Sequence, residues 1–153
     1  MTSSLSTSVF LAFIHHVAAF ALFGSVLFQH LTFKPGLTLN DAKRLARVDI
    51  VYGVSAVIVI IAGLLRVFYF EKGSAYYLHN AAFHTKMAVF VLVGLLSIYP
   101  TKVFLSWRKN LRHDIVPHIS PRQLKRITMI LRAEMLGLII ILFCAVLMAK
   151  GLG

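Results

Sequence analysis

Between Gly63 and Lys86 the chain sets Arg66, Lys72, His79, His84 and Lys86 against a single acid, Glu71, and interleaves them with Phe68, Tyr69, Phe70, Tyr76, Tyr77 and Phe83. Imidazoles can ligate a metal, cations can pair carboxylates, and aromatic rings can cover a planar face, so the stretch suits something anionic and flat. A second imidazole source, the adjacent pair His15 and His16, interrupts an apolar run near the start of the chain. In a helix entering the membrane at Val9 these two lie ~10 Å down at 1.5 Å per residue. Arg66, His84 and Lys86 reach a similar level from two other helices.

Haem b answers that set of groups, with neutral imidazoles from facing helices on the iron and Arg66 with Lys72 or Lys86 on the propionates. His16 and His84 are the preferred pair. Neighbouring helical residues point ~100° apart, so only one of His15 and His16 faces the bundle centre. His79, in the polar turn, is a further candidate. A quinone or a tetrapyrrole substrate would use much the same groups. Copper or zinc could instead be held by His16 and His84 with His79 or His15 as third donor. His30, His113 and His118 fall at basic edges and are expected to be solvated.

A second polar layer is expected deeper along the chain: Asp49 in one apolar segment and Arg132 with Glu134 in another, Arg47 nearby. Charges in hydrocarbon are costly, which makes each of them a functional candidate. An acid and a base on facing helices usually pair, giving a structural ion-pair network; the functional alternative is one end of a proton path.

The elements that must position these residues are membrane helices. The chain of 153 residues is 59% hydrophobic and only 14% charged, with a mean hydropathy of +0.83, a composition of multi-span membrane proteins. Four apolar tracts are long enough to cross ~30 Å of hydrocarbon, at about 9–31, 50–70, 81–100 and 127–149, in a single membrane domain. The first lacks a positive n-region and its Ala19-Phe20-Ala21 lies mid-run, so no signal cleavage is expected there. Pro35 and Gly36 end the first helix. Thr38 or Asn40 caps a second one that begins with an amphipathic extension, DAKRLARVD, at the headgroups. Asp49, Gly53, Ala56, Ile60, Gly63 and Val67 form its expected packing seam. Gly73 is read as a left-handed stop, Asn80 as the third helix's cap, Pro100 as a kink, Trp107 as a headgroup-level anchor, and Ser120-Pro121 as the fourth helix's start.

Sixteen Lys and Arg against five acids would suggest nucleic acid in a soluble protein, yet here they collect in the first and third loops, as cytoplasmic loops facing anionic lipid do. Both termini are therefore expected outside, in a bacterial inner membrane, with no nucleic-acid partner. The expected partners are membrane lipids, a second copy docked through glycine-lined faces, and a redox protein or quinone. Cys144, alone in an apolar run, reads as inert packing.

The segments FIHHVAAF, RVDIVYGVSA, AGLLRVFYFEKGSAYYLHNAAFHTK, SIYPTKVFLSW and MAKGLG together resemble an uncharacterised bacterial family of four-span membrane proteins, a domain of unknown function, over nearly the whole chain. That family is distantly similar to the CopD copper-resistance proteins and to HemJ, the haem-dependent protoporphyrinogen oxidase. The resemblance implies an all-α, four-helix transmembrane bundle. It also implies a first-span ligand at His16 or His15, with Arg66, His84 and Lys86 in its pocket. The functions open at this point are a haem b-binding redox protein, a CopD-like module for copper or another divalent metal, and a non-catalytic structural membrane protein.

Overall fold

Three helix starts are written in short-range chemistry. Thr38, Asn80 and Ser120 each accept a hydrogen bond on their side-chain oxygen from the backbone N–H three residues on, at 3.1, 2.9 and 3.2 Å, which satisfies a donor the helix cannot use internally. At Thr38 the arrangement is reciprocal, because the Asp41 carboxylate accepts from the Thr38 backbone N–H. Pro121 follows Ser120 at the first helical position, where its missing N–H costs nothing.

A computed structural model describes residues 2–70 and 79–152. Helix α1 runs Thr2–Thr32, α2 Leu39–Leu65, α3 Ala81–Ser106, the short α4 Arg108–Arg112, and α5 Pro121–Ala149. No strand occurs among the described residues. Four segments, Leu5–Thr32, Leu39–Tyr69, Ala81–Arg112 and Pro121–Ala149, are long and apolar enough to cross a membrane, so this is a multi-pass membrane protein. Each is longer than the ~20 residues a span requires, and the surplus turns project into the headgroups or are taken up by tilt.

α2 passes directly into one π-helical turn, Arg66–Phe70, where a continuous α-helix was expected. The wider turn rotates Arg66 and its successors relative to the α2 face below. Pro100 is accommodated inside α3 rather than ending it. The stop expected at Gly73, and Glu71, Lys72, Tyr76 and Tyr77 of the aromatic stretch, lie outside the described residues.

The helices pair: α1 packs chiefly on α2, and α3 chiefly on α5, with α1 also touching α5 and α2 meeting α3 only sparsely. Two apolar clusters fill the interior. One, near the basic loops, joins Phe33, Leu37, Leu45, Val103, Phe104, Trp107, Ile127 and Leu131. The other, further up, joins Leu22, Val26, Tyr52, Val93 and Leu138. Outside them the surface is apolar, with Phe13, Phe20, Leu95, Leu136 and Phe143 all exposed, as lipid contact requires.

One packing expectation is refined and another corrected. Trp107, expected at headgroup level, is held within the protein there: it is buried, stacked on Phe33 at 6.4 Å and edge-on to Phe104 at 5.0 Å. The buried face of α2 is Ala42, Leu45, Asp49, Tyr52, Ser55 and Ala62, whereas Gly53 and Ile60 of the expected seam are exposed. Asp49 is common to both sets, so the real face is turned about Asp49 from the expected one. Cys144 is free and buried in α5.

Candidate functional site

The upper layer is built from three elements. His15 on α1 is half-buried and turned toward α2, where the absence of a side chain at Gly63 makes room for it: a Cβ there would stand 3.2 Å from His15 Cε1. The Val59 backbone lies within hydrogen-bonding range of the ring, and Lys86 and Arg66 stand close enough to act on it electrostatically. Nδ1 of His15 is buried without a hydrogen-bond partner, a state that native side chains seldom keep unless something else fills the position.

His16 points the other way. It is exposed and donates Nδ1 to the Ala12 carbonyl at 2.5 Å, its ring edge-on to His15 at 5.9 Å. The preference for His16 as the inward imidazole is therefore reversed; the 100° between neighbours places His15 inside. His84 is also exposed, with its ring against Phe83 at 6.0 Å, and His79 is exposed in the turn before α3. The structure thus brings His15, Arg66 and Lys86 together and leaves His16, His84 and His79 at the surface. Among the described residues no group of three or more His, Cys, Asp or Glu is placed to hold a metal ion.

The lower layer is larger than its three expected members, and different in sign. Asp49 is buried and accepts two hydrogen bonds on Oδ1, from Gln29 Nε2 at 3.3 Å and from Thr101 Oγ1 at 3.0 Å. Tyr52, one turn along α2, is buried close to Ser97 of α3, whose hydroxyl donates to the Gly94 carbonyl at 2.7 Å. Glu134 of α5 is only 1% exposed, acts electrostatically on both Tyr52 and Asp49, and keeps Oε1 without a partner. Each of the four long helices contributes: Gln29, Asp49 with Tyr52, Ser97 with Thr101, and Glu134.

Arg132, expected to neutralise these acids, is exposed. Two residues subtend ~200° on a helix, so a buried Glu134 turns Arg132 outward. Arg47 is exposed too, its Nε donating to the Lys43 carbonyl at 3.4 Å. Among the described residues the ion pair found is Lys43 with Asp114 at 2.5 Å, which ties the start of α2 to the loop after α4. Lys43 holds the Asp114 carboxyl below its ordinary range by donating to it. His30, expected in solvent, is half-buried with Nδ1 covered and unpartnered, while His113 and His118 are exposed as expected.

Gln29, Ser97 and Thr101 were not singled out by sequence reasoning. Only Gln29 carried a signal, as a lone amide in an apolar run. A family model described as a predicted membrane protein, DUF2214, matches residues 7–153, and the chain belongs to that family. No curated protein and no solved structure matches it.

Proposed function

We propose that this member of the DUF2214 family is a binding protein for an anionic ligand, taken up in the half of the bundle that carries its termini. The observation behind this reading is the buried, unpartnered Nδ1 of His15, set against Gly63 with Arg66 and Lys86 at hand. An imidazole and two cations from three different helical elements offer directional donors to a carboxylate or phosphate in a medium where such contacts are strong. The excess of Lys and Arg at the opposite end supports a cytoplasmic side there, and with it a site in the outer leaflet of a bacterial inner membrane.

Haem b is the prosthetic group that fits best, in a restricted form. His15 would be the imidazole, and Arg66 and Lys86 would take the propionates; His16 and His84, both at the surface, favour one protein ligand to the iron rather than two. Bound there, haem would supply one-electron chemistry. Bare copper is less favoured, since His16, His84 and His79 do not converge on His15.

The test is purification in mild detergent after haem-replete expression, followed by a visible spectrum and mass spectrometry of released small molecules. A Soret band, or a co-purifying carboxylate- or phosphate-bearing molecule, lost in His15→Ala and kept in His16→Ala supports the proposal. Absence of both from the wild type, or retention of the molecule in His15→Ala, would overturn it.

A further inference from the structure

The lower polar layer is enclosed at its two acids, with Asp49 and Glu134 both buried. On every long helix its members lie between residues of the two apolar clusters: Gln29 between Val26 and Phe33, Asp49 between Leu45 and Tyr52, Thr101 between Val93 and Val103, Glu134 between Leu131 and Leu138. Two carboxyl groups thus share the interval between the two apolar clusters. The charged groups that could offset them are turned away, because Arg47, Lys102 and Arg132 are all exposed. From α1 and α3 the layer receives neutral Gln29, Thr101 and Ser97; from α2, Asp49 and Tyr52; from α5, Glu134. His30, next in sequence to Gln29, is a half-buried imidazole whose Nδ1 has no hydrogen-bond partner.

The hydrogen bonds separate the roles of the two acids. Asp49 receives an amide N–H and a hydroxyl O–H on one oxygen, two donors that a carboxylate can use at once. Glu134 receives no donor on Oε1 although it is almost fully enclosed. An ionised Glu134 would be a second negative charge, desolvated and unbonded, beside the first. Protonated, it carries the one O–H donor that the layer otherwise lacks for a second carboxyl, and like charges at close range cannot both persist.

We propose that Glu134 and Asp49 form a proton-binding site, in which Glu134 takes up and releases a single proton while Asp49, fixed by Gln29 and Thr101, stays ionised and holds that proton in place. A merely structural role is poorly served by this arrangement, because well-packed apolar residues of similar volume would stabilise the bundle at least as well. The step is simple in its balance: a proton adds to a Glu134 carboxylate oxygen, the layer passes from two negative charges to one, and release reverses both.

The full-length protein in detergent or nanodiscs can be followed by infrared difference spectroscopy of the protonated carboxyl C=O stretch across a pH series. The wild type should show such a band at neutral pH, shifted on exchange into deuterium oxide and disappearing reversibly as pH rises. Glu134→Gln should abolish it. Asp49→Asn should keep the band and change the pH of release by about one unit or more, since the neighbouring charge is gone. Any one of three results would overturn the proposal. The wild type could lack the band at neutral pH. The band could survive Glu134→Gln, or stay unchanged by both pH and Asp49→Asn, as an inert neutral acid would. Sodium could displace it at constant pH and ionic strength, which would assign the site to an alkali-metal ion. The wild-type titration, the isotope shift and the sodium arm need no variant, so a poorly folding Glu134→Gln does not leave the question open.

Discussion

Thr101 donates its hydroxyl to Asp49 across 3.0 Å, and that bond passes from one helix pair to the other. α2 and α3 otherwise meet only sparsely, so this bond adds a directional link to the apolar clusters and the α1–α5 contact that join the two pairs. In hydrocarbon no water can substitute for a lost partner.

Thr101→Val keeps the shape and removes the donor. It should lower stability by about 1–2 kcal/mol, while Thr101→Ser should stay within about 0.5 kcal/mol of wild type. Equilibrium unfolding in a mixed-micelle titration measures both. Equal stabilities for the Val and Ser variants would mean that the bond does not hold the pairs together.

Gly137 and Gly53 make a contrasting pair. A methyl group at Gly137 would overlap the Val93 side chain of α3, whereas one at Gly53 meets nothing within 4 Å. Gly137→Ala should therefore cost about 1–3 kcal/mol by overpacking, and Gly53→Ala should be neutral or slightly stabilising through helix propensity. Val93→Ala combined with Gly137→Ala should recover part of the loss, a coupling a double-mutant cycle reads directly.

Gly63 is expected to matter through His15. The ring already stands where a Cβ would be tight, at 3.2 Å, so Gly63→Ala asks for a displacement of a few tenths of an ångström and Gly63→Leu for expulsion of the ring. Ligand retention should fall in the order wild type, Ala, Leu, with His16→Ala unchanged from wild type. Full retention in Gly63→Leu would remove His15 from the site.

The Lys43–Asp114 bridge gives a pH-dependent term of known sign. Its folded carboxyl titrates lower than the unfolded one, so the stabilisation is fully present above the unfolded value and is lost as pH falls through the folded value. Asp114→Asn should be slightly less stable than wild type at neutral pH and low salt, with the gap closing as acid protonates the Asp114 carboxyl and in ~1 M salt. Asn is the suitable replacement because Asp114 has φ +55°, a left-handed conformation that Asn tolerates well. A gap that persists in acid and salt would point to the backbone rather than the charge.

How much of this was legible depends on the geometry each residue encodes. Spans, caps and loops are local, so the apolar tracts together with Thr38, Asn80 and Ser120 announced four long helices correctly. Azimuth is another matter. Whether His15 or His16 faces inward depends on which side of α1 meets α2, and the Gly63 notch that decides it lies 48 positions away in sequence. Arg132 and Glu134 could have been separated in advance, since ~200° of rotation cannot put both inside. Thr101 could not: beside Pro100 it resembles any weakly polar helix residue, and only the partner across the bundle gives it a role. The π turn at Arg66 left no signature in a continuous apolar pattern.

Four helices must each deliver one member of the Gln29, Asp49, Thr101, Glu134 layer, and a growing chain delivers them in order. When the first two helices have entered the bilayer, Asp49 has Gln29 alone; Thr101 arrives with the third, and Glu134 only with the last. A chain holding only the first two helices therefore carries an under-bonded acid inside the membrane, a costly state in hydrocarbon. Arrival of Thr101 completes the bonding of Asp49, so a chain truncated after α2 should be shorter-lived in the membrane than one truncated after α3.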